Sequence, residues 1–210
     1  MSILRRTSLN PSGRKYAPPN PALLHMPTPE VTVVLRTKDR VNLLETAIQS
    51  VICQTFTNFE LLVLDDNSKD GTEQLATHYA RKDSRIRYLR SISTKGHISA
   101  LNFATDIARG KYIAYLDDDD SWRPAKLAKQ IAIFDFPKTN LGLVTGSVQR
   151  WLAADIDRRD AWRKSTTWKP EMRGDVYWQA LGSSGNIFGP PSAVVIPSLV
   201  LHEVGPFRED

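Results

Sequence analysis

From residue 31 onward, short continuous apolar runs alternate with longer stretches whose apolar residues return every three or four positions. The runs are VTVVL (31–35), FELLVL (59–64), RIRYL (85–89) and YIAYL (112–116). Rich in β-branched and aromatic residues, they read as strands buried on both faces. Between them, Leu44, Ile48 and Val51 or Ile52, then Leu75, Tyr79 and Ala80, then Leu101, Ala104 and Ile107, fall at helical spacing. Ser68 and Asp70 are candidate N-caps of the second helix, Gly110 suits the left-handed position past a helix end, and Pro124 fits the first turn of a fourth helix. A repeated β-α rhythm of this kind predicts an α/β domain over 31–210, with a mostly parallel sheet flanked by helices.

Residues 1–30 break the rhythm. Proline at 11, 18, 19, 21, 27 and 29, with Arg5, Arg6, Arg14 and Lys15 between, denies this stretch both helix and central strand. It is expected to be a basic, proline-rich arm or linker. The rest of the composition, 41% hydrophobic and 24% charged, is that of a globular domain. No apolar run reaches the roughly 20 residues that cross a bilayer, and the first residues lack a signal-peptide core. The expected location is therefore cytoplasmic, with peripheral contact at the inner face of the membrane left open. The single cysteine, Cys53, excludes an internal disulfide and is expected to be a small core residue. A net charge of +5 suggests anionic partners without choosing among nucleotides, acidic glycans, lipid headgroups and nucleic acid.

In open α/β sheets, ligands bind beyond the carboxyl ends of the strands. The unusual polar clusters lie at such ends: Arg36, Thr37, Lys38 and Asp39 after the first run, Asp65, Asp66, Asn67 and Ser68 after the second, and Asp117 to Asp120 after the fourth. Four successive carboxylates oppose folding, since two unit charges roughly 5 Å apart repel by about 1 kcal/mol in water and more near an apolar interior. A solvated acidic turn is the plain alternative, but convergence of three clusters on one crevice favours a bound cation. Alternation along extended backbone sends Asp117 and Asp119 to one side and Asp118 to the other. This suits Mg²⁺ or Mn²⁺, which takes one or two carboxylates and completes its shell with phosphate oxygens and water. His25, His78, His97 and His202 are too dispersed for a softer metal site. Neither G-x-G-x-x-G nor G-x-x-x-x-G-K-[ST] is present, which disfavours dinucleotide oxidoreductases and P-loop NTPases.

The segments VTVVLRTKDR, QTFTNFELLVLDDNSKDGT, KGHISALNFATDIARGKYIAYLDDDDSWRPAKL and, more loosely, PPSAVVIPSLVLHEVGPF resemble family 2 glycosyltransferases of the GT-A fold. The resemblance implies a nucleotide-binding half over 31–134 and an acceptor-side half over 135–210. It implies metal-dependent, inverting transfer of a sugar from a nucleoside diphosphate sugar, most often a UDP-sugar, to a glycan or lipid-linked acceptor in cell-surface polysaccharide synthesis; no nucleic acid is expected as partner. On this similarity Asp66 reads the uracil edge beside Asp65, and Arg36, Thr37 and Lys38 form the base-binding turn. Lys38 stands where relatives often carry an aromatic residue. Asp117-Asp118-Asp119 resembles the D-x-D segment, with Asp119 as metal ligand, Asp118 on a ribose or sugar hydroxyl and Asp117 in support. Lys95, with His97 nearby, faces the ribose or diphosphate.

The family's general base usually lies several residues beyond a GPF segment. The resemblance therefore implies that the base and the closing helices lie beyond residue 210, with Glu209 and Asp210 as the minor candidates. Two other classes stay open. One is a nucleotide-sugar-binding module without turnover; the other is a nucleotidyltransferase, disfavoured because RTKDR replaces a Gly-rich loop after the first strand. Trp151, Trp162, Trp168 and Trp178 interleave with five arginines between 150 and 178, a pattern that suits sugar stacking, an interface or ordinary packing. GNIFGPPS (185–192) is expected to be an ordered loop on the acceptor side.

Overall fold

A computed structural model describes residues 28–91, 96–135, 141–149, 167–168 and 191–207. The four apolar runs form strands β1 (Val31–Thr37), β2 (Phe59–Asp65), β3 (Ile86–Arg90) and β4 (Tyr112–Asp117). Helices α1 (Val41–Ile52), α2 (Thr72–Lys82), α3 (His97–Ile107) and α4 (Lys126–Phe134) follow them in turn. Beyond these come the two-residue strands β5 (Val144–Thr145), β6 (Val148–Gln149) and β7 (Thr167–Trp168). A 3₁₀ turn (Pro191–Ala193), β8 (Val194–Pro197) and α5 (Ser198–Val204) close the described chain.

The main sheet runs β3-β2-β1-β4-β8-β5. Its first three pairings are parallel, and β8 joins β4 and β5 antiparallel. Parallel neighbours need crossovers, and each crossover helix buries an apolar stripe on the sheet. One face carries α1, α2 and α4 over Val31, Val33, Leu35, Leu61, Val63, Ala114 and Leu116. The other carries α3 and α5 over Val34, Leu62, Leu64, Ile113 and Tyr115. Among the described residues no helix is long and apolar enough to cross a membrane.

Several local expectations are corrected. Strands β1, β2 and β4 run on into Thr37, Asp65 and Asp117, so these residues end strands rather than follow them. Neither Ser68 nor Asp70 is the N-cap of α2; Gly71 holds that position, while the Asp70 carboxylate accepts from the amides of Thr72 (3.0 Å) and Val41 (2.9 Å). Pro124 lies before the N-cap of α4, and its carbonyl accepts from Thr55 N at 2.8 Å. Cys53 is exposed at the end of α1, not buried; the adjacent core position is filled by Val51. The arm up to residue 27, Trp151, Trp162, Trp178 and the 185–190 part of the acceptor-side loop lie outside the described residues.

Gly110 does not adopt a left-handed conformation; α3 ends at Ile107, with Ala108 as its C-cap. Glycine is required there by close approach. A Cβ at Gly110 would lie 2.4 Å from Thr32 N and 2.7 Å from the Val31 carbonyl carbon. Around this contact, at the amino edge of the sheet, the buried Glu60 accepts from Thr32 Oγ1 (2.8 Å), Arg109 N and Nε (both 2.9 Å) and Arg87 Nη1 (3.1 Å). Thr32 Oγ1 in turn accepts from Gly110 N at 2.9 Å. The polar groups that could disrupt this end of the core are thus tied to one another, and the opposite edge is left for other chemistry.

Candidate active site

The carboxyl ends of β1, β2 and β4 bring the predicted clusters together, because the three strands are neighbours in register: Arg36 lies beside Leu64 on one flank and Asp117 on the other. The two loops after β1 and β2 are laced across each other. Asp66 N donates to Thr37 O (3.0 Å), Asp39 N to Ser68 Oγ (2.9 Å), Lys69 N to Asp39 Oδ1 (2.6 Å) and Val41 N to Asp70 Oδ2 (2.9 Å). Asp39 and Asn67 hold positive φ of 52° and 63°, a region that Asn and Asp enter more readily than other non-glycine residues. Asp70 titrates below its ordinary value: burial pushes its carboxyl up, but the hydrogen bonds from Thr72 and Val41 outweigh it.

Asp65 and Asp66, adjacent in sequence, have different surroundings. The Asp65 carboxylate is buried and spent on the fold: Oδ1 accepts from Ser68 N (2.8 Å), Oδ2 from Tyr88 OH (2.6 Å), and Arg90 Nε lies 3.8 Å away. Burial and this carboxylate together push the Tyr88 phenol well above its usual range. Arg90 also pairs with Glu73 and donates to Ser68 O at 2.8 Å, closing the loop from the β3 side. Asp65 therefore builds the site's wall. Asp66, also buried, heads the loop directly after the strand. Lys38 is exposed.

Two polar atoms at the end of β1 are sealed from solvent with no hydrogen-bond partner among the described residues: Arg36 Nε and Thr37 Oγ1. A buried donor left unmade costs about 1–3 kcal/mol, a local strain the fold carries at this edge.

The acidic turn is compensated by a residue that sequence reasoning missed. Arg40 Nη1 lies 3.0 Å from Asp118 Oδ1 and 3.0 Å from Asp119 Oδ2. Seventy-eight residues separate Arg40 from Asp118, so only the fold brings them together; the unneutralised charge was the one available signal. The Asp118 carboxylate is 8% exposed and that of Asp119 53%. Asp118 thus lies sealed beneath Arg40, an arrangement that suits support of the turn better than contact with a sugar hydroxyl. Asp117, half-buried, is fixed by Ser192 Oγ, which accepts from its amide at 3.0 Å. Trp122 Nε1 donates to Ser192 O at 2.8 Å, so the 3₁₀ turn before β8 clamps both ends of the acidic turn. On the far side Gln54 donates to Arg123 O (2.8 Å) and accepts from Leu127 N (3.0 Å), tying the segment to the turn just past α1.

Among the described residues no three His, Cys, Asp or Glu side chains form a ready cation cage. The donor set nevertheless fits a hard divalent ion that brings its own phosphate and water ligands: the half-exposed Asp119 carboxylate already faces a cation, the Arg40 guanidinium, across the sealed Asp118. Lys95, Glu209 and Asp210 lie outside the described residues, as does the His97 side chain.

A sequence model of the family described as Glycosyl transferase family 2 matches residues 32–195, which takes in the three polar clusters, Arg40 and Ser192. The chain belongs to this family. Two Escherichia coli relatives carry the name UDP-Glc:alpha-D-GlcNAc-diphosphoundecaprenol beta-1,3-glucosyltransferase. One, WfgD, is 35% identical over 119 residues, covering 57% of this chain and 46% of that protein. The other, WfaP, is 33% identical over 108 residues, covering 51% and 42%. The chain thus spans less than half the length of either relative. In fold it resembles the mannosyltransferase PcManGT from Pyrobaculum calidifontis, solved with GDP-Man and Mn²⁺. The TM-score is 0.62 over 89% of this chain and 52% of that one, at 19% identity. The α/β sheet expected of a GT-A family 2 member is the one observed, with antiparallel β8 and β5 added at one edge.

Proposed function

We propose that this family 2 member is a glycosyltransferase that moves a sugar from a nucleoside diphosphate sugar of the UDP class onto a glycan or lipid-linked acceptor, with inversion at the anomeric carbon. The observation that carries the reading is the convergence of three polar clusters on the carboxyl edge, with Arg36 and Thr37 lying between Asp65 and Asp66 on one flank and Asp117 to Asp119 on the other. The names of the two E. coli relatives support a UDP-glucose-type donor and a diphosphate-linked lipid acceptor. A lipid-linked acceptor would bring the reaction to a membrane surface, where the net charge of +5 favours approach to anionic headgroups.

In this reading Asp66 accepts from the base, with Asp65 holding its loop. Arg36, Thr37 and the exposed Lys38 form the turn that faces the base, and Lys95 is assigned to the ribose or diphosphate. Asp119, with Asp117, would hold Mn²⁺ or Mg²⁺, and Asp118 orients that pair from below. The bound ion would offset charge developing on the departing diphosphate. The acceptor oxygen forms its bond to the anomeric carbon as the bond to the diphosphate breaks on the opposite face. A carboxylate takes the acceptor's proton.

Thermal unfolding with UDP-glucose, GDP-mannose and dTDP-glucose, each with and without Mn²⁺, tests the reading. At about 100-fold over Kd a ligand adds about 2.7 kcal/mol, or roughly 5–10 °C in Tm for a chain of this size. The expected result is a shift with UDP-glucose and Mn²⁺ that Asp119→Ala removes without lowering the unliganded Tm. No shift with any donor would overturn the reading. A shift with no UDP release in the presence of a polyprenyl diphosphate-linked acceptor would identify a binding module instead.

A further inference from the structure

The acidic turn and Arg40 form a pair with unequal mobility. Asp118 cannot leave: its carboxylate is 8% exposed and the turn is clamped by Ser192, Trp122 and Gln54. The backbone that carries Arg40 is equally fixed, because Asp39 on one side is held by Ser68 and Lys69, and Val41 on the other by Asp70. The Arg40 side chain is different. It is 50% exposed and reaches both acids through Nη1 alone. A guanidinium binds most strongly when two of its nitrogens grip one carboxylate in parallel, and this one does not.

We propose that Arg40 is the resident counter-cation of the Asp118–Asp119 pair, and that a divalent ion reaches the exposed Asp119 carboxylate, beside the sealed Asp118, by exchange with its guanidinium. This rests on the donor-site reading above. The exchange is inexpensive for Arg40, since a half-exposed ion pair of this kind is worth little more than the hydration its guanidinium regains in solvent. It would be costly for Asp118 to remain without any cation, because a sealed carboxylate has no water to turn to. The two states therefore differ in which cation is present, not in whether one is. The released side chain remains anchored at the start of α1, within reach of the anionic groups that the ion would bring.

The test is a titration with Mn²⁺ alone, without nucleotide, followed by calorimetry and by water-proton relaxation enhancement on the wild type, Arg40→Gln, Arg40→Lys and Asp119→Asn. Removing the competing charge is expected to tighten Mn²⁺ binding about three- to fivefold in Arg40→Gln, on the order of the worth of one partly exposed ion pair. Arg40→Lys, which keeps a cation on a flexible stem, is expected to stay within about twofold of the wild type. Asp119→Asn should weaken binding in either background. Unchanged or weaker Mn²⁺ affinity in Arg40→Gln, with its circular dichroism melt intact, overturns the exchange. A melt that collapses in Arg40→Gln while Arg40→Lys is normal also overturns it, by making Arg40 structural. Because no nucleotide is present, these outcomes are separate from the donor screen, which can fail while the exchange holds.

Discussion

Lys126, the first residue of α4, has an ammonium that the fold treats badly. Its Nζ is sealed from solvent, finds no hydrogen-bond partner among the described residues, and lies 3.8 Å above the Trp122 ring. Burial pushes its pKa down from 10.5 to about 7. The folded state therefore binds fewer protons than the unfolded chain between those values, and stability rises with pH across that window. Below about pH 7 both states are protonated and the penalty is present in full. At about 1.36 kcal/mol per pH unit the displacement corresponds to about 5 kcal/mol, of which the desolvated cation–π contact returns about 2. Lys126→Met keeps the length of the chain and removes the charge, so it should stabilise the protein by about 3 kcal/mol at pH 6, within the range known for apolar replacement of buried ions. Urea unfolding of both proteins at pH 6, 8 and 10 measures this, and the gap is expected to shrink to about 1 kcal/mol or less by pH 10. A variant less stable than the wild type, or a gap that does not change with pH, would show that the ammonium is solvated or paired and refute the reasoning.

At the amino edge of the sheet, Glu60→Ala leaves Arg87 and Arg109 without their carboxylate and Thr32 without its acceptor. It should cost about 3–5 kcal/mol in urea unfolding, and a loss under about 1 kcal/mol would show that water replaces the network. Gly110→Ala forces a methyl group against the backbone of Val31 and Thr32. Overpacking of this sort costs about 1–3 kcal/mol; a Tm lowered by roughly 3–10 °C is expected, and an unchanged Tm would mean that the turn opens freely.

What the chain discloses by itself follows from period and position. Four apolar runs define four adjacent parallel strands, and the rule that parallel sheets present their carboxyl ends to ligands sends three polar clusters to one edge. Local spacing carries no information about partners distant in the chain. Arg40 meets Asp118 only after β1 and β4 pair, so the acidic turn reads as a demand for an outside cation. The chain's pleat separates Asp65 from Asp66, and Tyr88 and Arg90, which claim Asp65, come from another strand. Gly110 reads as a helix stop because glycine serves both conformational freedom and close approach, and only the facing backbone distinguishes them. The antiparallel β8 and β5 have too few residues to show a period.

The lacing between the loops after β1 and β2 has a consequence for motion. Four backbone amides, those of Asp39, Val41, Asp66 and Lys69, each cross from one loop to the other. Neither loop can open while the other stays closed, so their amide protons should exchange with solvent as one cooperative unit rather than fray singly. An arriving molecule would find this side of the crevice already assembled, and adjustment would fall to side chains such as that of Arg40. Glycine at position 39 would ease its backbone torsion but would remove the carboxylate that clasps Lys69, exchanging local comfort for a looser floor.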